Sequence, residues 1–142
     1  MYLAIEEAYL SVKEGNGPFT VVVVNAEGKI EWKDHDRVKE TMDPTAHGEV
    51  NAIRYLCKNK NTLTLDGYTF YTTSEPCPTC LSSMIKVKAS ACYYGCKTQS
   101  TASLPVSAEE LAQKANNKIT VVGGILEKQC LAQRDQYTMS NR

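Results

Sequence analysis

The stretch Ala91 to Val122, ACYYGCKTQSTASLPVSAEELAQKANNKITVV, decides the fold. Ala91 to Tyr94 reads as a strand. Ser107-Ala108-Glu109-Glu110 has the spacing of a capping box, in which a Ser and a Glu three residues apart satisfy each other's backbone donors, so it opens a helix that runs to about Ala115. Ile119 to Val122 reads as a further strand. Two strands with a helix between them cannot close as a hairpin; they need a crossover, and a crossover makes them parallel.

Working outward, Asp66-Gly67 turns the chain into a strand over Tyr68 to Thr73. A helix is predicted to begin near Cys77 or Pro78, because proline is favoured in the first helical turn, with Leu81, Met84 and Ile85 as its buried face. Upstream, Ile5, Ala8, Tyr9 and Val12 recur at helical spacing and predict a helix over residues 2–13. Gly15, Gly17 and Pro18 break it. Phe19 to Asn25 is a β-branched run, and Glu27-Gly28 returns the chain as a hairpin over Lys29 to His35. After Asp43-Pro44, a helix from Ala46 to Cys57 should bury Val50, Ile53 and Cys57. Ile125 to Arg134 closes the chain as a helix. The expected fold is α/β: a three-layer α/β/α sandwich on a mixed five-stranded sheet, strands 4 and 5 parallel, in one domain spanning residues 1–142.

A chain of 142 residues with 42% hydrophobic content can bury a core and is too apolar for a disordered segment. Its 16 basic and 16 acidic side chains cancel, which removes the electrostatic pull of a dedicated nucleic-acid binder. The longest aliphatic run, around Val21 to Val24, is far below the ~20 residues a membrane span requires. Glu6 and Glu7 stand where a signal sequence would be basic and then apolar, so a cytoplasmic location is expected. The six cysteines are then better read as metal ligands or buried thiols than as disulfides.

Two segments carry chemistry: Thr45-Ala46-His47-Gly48-Glu49 and Ser74-Glu75-Pro76-Cys77-Pro78-Thr79-Cys80. Cys77 and Cys80, three residues apart at a helix start, place both sulfurs on one side of the first turn. The positive end of the helix lowers the cost of holding them as thiolates. On its own such a pair could equally be buried or redox-active. With His47 it forms a soft three-ligand set for Zn²⁺ that leaves one position open, the mark of a catalytic rather than a structural zinc. Glu49, two residues past His47, cannot share its helix face, so it suits a proton shuttle better than a fourth ligand. His35, with Asp34 and Asp36 beside it, could start another metal cluster, but an exposed strand-end histidine is the simpler expectation. Cys57, Cys92, Cys96 and Cys130 read as buried thiols.

These motifs resemble the cytidine deaminase-like superfamily, in particular the branch of guanine deaminases, yeast-type cytosine deaminase and tRNA adenosine deaminases. The resemblance runs from the first helix through the fifth strand. Asp43-Pro44-Thr45-Ala46-His47 with Glu49, Glu75-Pro76-Cys77 and Cys80 is similar to guanine deaminase and tRNA adenosine deaminase, while Gly48 departs from the Ala usual there and resembles the cytosine deaminase form. A parallel fifth strand fits this branch rather than the cytidine deaminases proper. The resemblance implies one zinc per chain on His47, Cys77 and Cys80. It also implies hydrolytic deamination of a cyclic amidine, C(NH₂)=N, with Glu49 carrying the protons, and a homodimer.

The resemblance also implies the substrate contacts. Its usual Asn eleven residues before the zinc histidine is Asp36 here, an acceptor where the family has an acceptor and two donors. Phe19 would line the pocket, although Pro18-Phe19-Thr20 departs from the family's Pro-Phe-Gly. Ala46 would offer a backbone N–H to a ring carbonyl, and the Ser74 carbonyl would accept from the leaving amine. Guanine or a related aminopurine is the first expectation, an aminopyrimidine or triazine-type base the second. A tRNA adenosine deaminase should show basic clustering, and only Lys86 and Lys88 suggest any near the site. A non-catalytic zinc module would have no use for Glu49. Tyr137 falls in the C-terminal tail, where some relatives close their pockets.

Overall fold

A computed structural model describes residues 1–98 and 104–140, with the side chains of residues 139 and 140 left aside. The elements run α1 (Tyr2–Lys13), β1 (Thr20–Val24), β2 (Ile30–His35), α2 (Val38–Thr41), α3 (Gly48–Lys60), β3 (Thr69–Ser74), α4 (Pro78–Lys86), β4 (Ala91–Cys96), α5 (Ala108–Lys114), β5 (Thr120–Val122) and α6 (Glu127–Ser140). The sheet order is β2-β1-β3-β4-β5. β1 pairs antiparallel with β2 and β3, whereas β3–β4 and β4–β5 are parallel. The mixed five-stranded sheet and the parallel crossover into the last strand are as the sequence predicts.

The all-β-branched run of β1 is buried on both faces, as a central strand requires. Val21, Val23, Phe70, Cys92 and Tyr94 join Ala52, Leu56, Leu81 and Met84 in the main core under α3 and α4. On the other side α1 packs against α6, α1 meets β1 and α6 meets β4, with Ile5, Cys96 and Cys130 in a second cluster.

Several expectations change. α3 begins at Gly48, not Ala46, because His47 is extended (φ −69°, ψ 149°) and caps the helix instead of entering it. Its buried face is Gly48, Ala52 and Leu56; Ile53 and Cys57 pack partly buried against the core, and Val50 is half-buried. The small residues win the inner face because the helix lies close: a Cβ on Gly48 would stand 3.2 Å from the His35 backbone. The one-turn helix α2 was not anticipated. α6 reaches Ser140, which puts Tyr137 on a helix rather than in a tail. His35 is not exposed; it is 2% accessible, held with Nδ1 3.0 Å from Glu7 and Nε2 3.3 Å from Glu14. No helix among the described residues is long and apolar enough to cross a membrane.

Candidate active site

The carboxyl ends of parallel strands, where backbone direction changes toward a following helix, are the usual place for a ligand in an open α/β sheet. Here the chain leaving β3 enters α4 through Glu75-Pro76-Cys77. Cys77 is extended (φ −66°, ψ 163°) and caps α4, Pro78 occupies the first turn, and Cys80 follows within that turn. His47 caps α3 in the same way. Two helix N-termini thus deliver three donor groups to one point: His47 Nδ1 is 3.6 Å from Cys77 Sγ and 3.4 Å from Cys80 Sγ, and the two sulfurs are 3.5 Å apart.

These spacings suit a single ion. A tetrahedral zinc, with bonds of about 2.3 Å to sulfur and about 2.0 Å to nitrogen, would space its donors about 3.5–3.8 Å apart. Among the described residues, His47, Cys77 and Cys80 are the group of His, Cys, Asp and Glu able to hold a metal, which sets aside a cluster on His35.

The electrostatics of the metal-free site agree. Cys77 is drawn down to about 4: the Cys80 thiol donates to it, burial opposes, and His47 and the Cys80 backbone N–H add to the effect. His47 rises to about 9, chiefly through its hydrogen bond to Cys77. Cys80 is pushed well above the thiol range by donating to Cys77 and by burial. A thiolate, an imidazolium and a thiol carry no net charge together; a dication that displaced their two protons would balance the two thiolates left behind. Glu49 Oε2 lies 3.5 Å from Cys80 Sγ, and burial raises this carboxyl above its ordinary value.

A cavity of about 440 Å³ opens onto these groups. Asp36, Phe19 and Ser74 line it. The Asp36 backbone N–H donates to the Phe19 carbonyl at 2.9 Å, and its Oδ1 accepts the Val38 N–H at 3.0 Å. Phe19 precedes β1 and keeps 42% of its surface exposed. The Ser74 carbonyl accepts the Thr72 hydroxyl at 2.8 Å. Ala46 is different. It is buried, and its N–H donates to the Asp43 carbonyl at 3.0 Å, within its own turn.

Thr20, Thr72, Glu75 and Thr98 also line the cavity and were not singled out as site residues. The run Thr72-Thr73-Ser74 stands at the carboxyl end of a strand paired in parallel with β4, where a ligand is expected, which is the signal in the sequence for Thr72. Thr20 and Thr98 left no trace in the pattern.

Comparison with known proteins agrees with this geometry. The cytidine and deoxycytidylate deaminase zinc-binding region matches residues 1–96. The tRNA-specific adenosine deaminase of Aquifex aeolicus is 39% identical over 83 residues, 58% of this chain and 54% of that protein. The guanine deaminase of Bacillus subtilis is 41% identical over 78 residues, 55% of this chain and 49% of that protein. The matched stretch therefore spans about half the length of these curated relatives. A structure from studies of A-to-I editing by tRNA:A34 deaminases at the wobble position superposes with a TM-score of 0.83 at 26% identity, covering 94% of this chain and 96% of that one. With the His47, Cys77 and Cys80 donors in place beside Glu49, the chain belongs to the cytidine and deoxycytidylate deaminase zinc-binding family.

Proposed function

We propose that this protein is a zinc-dependent hydrolytic deaminase of a single nucleobase or nucleoside, guanine or a related aminopurine first. The observation that carries the reaction is one cavity holding Glu49 beside the His47, Cys77 and Cys80 donors. Zinc on those donors supplies the Lewis acidity that makes water nucleophilic at neutral pH. Glu49 takes the proton of the attacking water, passes it to the ring nitrogen of the C(NH₂)=N unit, and delivers the next to the departing amine; ammonia leaves and a ring carbonyl remains. Burial that raises the Glu49 carboxyl suits a group that must hold a proton between these transfers. The Ser74 carbonyl has a second lone pair for the amine, and Phe19 offers a ring face to a base.

The cavity wall supports a small, uncharged or cationic substrate. Asp36, Glu49 and Glu75 line it, and no Lys or Arg stands among its described lining residues. Three of its hydroxyl hydrogens are already committed: Thr20 donates to the Ala4 carbonyl, Thr45 to Asp43 and Thr72 to Ser74. A wall with three carboxyl groups favours a heterocycle that brings its own N–H groups, as guanine does, and disfavours phosphate.

The second reading, a tRNA adenosine deaminase, is favoured by the similarity to the Aquifex aeolicus protein and to the tRNA:A34 deaminase structure. One experiment separates the two. Zinc-loaded protein is incubated with guanine, 2-aminopurine, adenine, cytosine, a triazine and a tRNA anticodon stem-loop, and ammonia is measured. Release from guanine, insensitive to salt, supports the first reading. Release only from the stem-loop, falling steeply with salt, replaces it with the second. No release from any compound removes both. The family resemblance also leads us to propose a homodimer, which sedimentation of the zinc-loaded protein would test.

A further inference from the structure

Glu75 lines the cavity two residues before Cys77, yet no step of the reaction above uses its carboxylate. It is a buried charge, its side chain 5% exposed. Buried carboxylates persist only when donors surround them. Three do so here. Oε1 accepts the Ala108 backbone N–H at 2.9 Å and the Lys97 ammonium at 3.3 Å; Oε2 accepts the Thr98 backbone N–H at 3.3 Å. The Glu75 N–H in turn donates to the Cys96 carbonyl at 2.8 Å.

The origin of these donors is informative. Lys97 and Thr98 leave β4, and Ala108 is the first residue of α5. One carboxylate therefore ties both ends of the β4–α5 connection to the segment that carries Cys77. Lys97 extends the tie to Glu109 at 2.6 Å, and Tyr94 donates to the same Glu109. Thr98, held by this clasp, is itself part of the cavity wall.

We propose that Glu75 is a positioning residue, fixing the Thr98 side of the cavity against the Cys77 segment and thereby setting substrate affinity rather than metal affinity or chemistry. The proposal rests on the deaminase reading for its kinetic consequence but not for its structural one. Glu75→Gln keeps the volume, loses the charge, and sets an N–H₂ against donors that need an acceptor. A charge-assisted hydrogen bond lost at a buried site corresponds to roughly a ten-fold effect or more.

The test has two readouts. Amide hydrogen exchange of Thr98 and Ala108 is compared in wild type, Glu75→Gln and Lys97→Met, with zinc bound; KM and kcat are measured on guanine in the same proteins. Exchange at both amides at least ten-fold faster in Glu75→Gln, with zinc content kept, KM raised about ten-fold and kcat within two-fold, is the expected result. Lys97→Met, which leaves both backbone donors in place, should move the same quantities less. Should Glu75→Gln fail to fold, Lys97→Met decides: faster exchange at Thr98 supports the clasp, and unchanged exchange overturns it. Unchanged exchange in Glu75→Gln, or zinc loss in proportion to lost turnover, also overturns it. If wild type does not act on guanine, the substrate assignment fails while the exchange data still judge the clasp.

Discussion

Glu49 Oε2 stands 3.5 Å from Cys80 Sγ, beside the triangle formed by His47, Cys77 and Cys80 and not part of it. Sequence spacing makes this unavoidable. His47 caps α3 in an extended conformation, and Glu49 lies in the first helical turn, so their side chains leave the backbone in different directions. A carboxylate in that place can move protons without joining the metal.

The first prediction follows directly. Glu49→Gln should bind zinc at wild-type stoichiometry and lose turnover by about 10²–10⁴-fold, the usual contribution of a positioned acid–base group. Metal analysis and ammonia release on one sample check it. Turnover near the wild-type rate would remove Glu49 from the chemistry.

Zinc uptake should be strongly pH-dependent. In the metal-free protein at neutral pH, His47 (about 9) carries a proton, Cys80 carries its thiol hydrogen, and Cys77 (about 4) does not. Coordination needs all three deprotonated, so each zinc displaces about two protons. Displaced protons make binding weaker as pH falls, by up to about 100-fold per unit across the neutral range. Calorimetry in buffers of different ionisation enthalpy counts them; a release near zero at pH 7 would show that the ligands are already stripped of their protons.

Asp36 is the point at which substrate choice should respond to a single atom type. Its Oδ1 accepts from Val38, and Oδ2 has no hydrogen-bond partner among the described residues. Guanine presents a ring N–H where 2-aminopurine presents a bare nitrogen. Asp36→Asn replaces an acceptor by a donor or a neutral acceptor, and the kcat/KM ratio of guanine to 2-aminopurine should fall by about 10–100-fold, as expected for one charged hydrogen bond. Zinc content should not change. An unaltered ratio would take Asp36 out of substrate recognition.

The ease of reading the sequence differed between parts of the chain for physical reasons. The metal set was legible because its chemistry needs His47, Cys77 and Cys80 at fixed spacings at helix starts. The topology was legible because the helix opened by the Ser107 box forces the Ala91 and Ile119 strands to be parallel. The burial of His35 was not, since it depends on Glu7 of α1 and Glu14 at its C-terminal cap, far away in sequence. The buried face of α3 departs from the apolar periodicity for a related reason. Periodicity marks large apolar residues, and here close approach to β2 selected Gly48 and Ala52 instead. The held N–H of Ala46 is a turn property that residue type alone does not encode.

A tight steric demand lies away from the metal-ligand set, at Gly95 in the central parallel strand β4. A Cβ there would meet Cys130 Sγ of α6 at 2.3 Å, Cys130 Cβ at 2.8 Å and the Thr73 carbonyl oxygen of β3 at 2.6 Å. The Cys130 Cβ and the Thr73 carbonyl cannot yield without separating α6 from the sheet or β3 from β4. Gly95→Ala should therefore cost about 3 kcal/mol or more, at the upper end for overpacking, and lower the melting midpoint by on the order of 10 °C. The two obstacles can be told apart. Cys130→Ala removes the sulfur but not its Cβ or the Thr73 carbonyl, so Gly95→Ala/Cys130→Ala should recover part of the loss and not all of it. Full recovery would mean that the strand carbonyl moves freely, and a Gly95→Ala protein within 1 kcal/mol of wild type by denaturant titration would show that α6 is not seated on β4 as described.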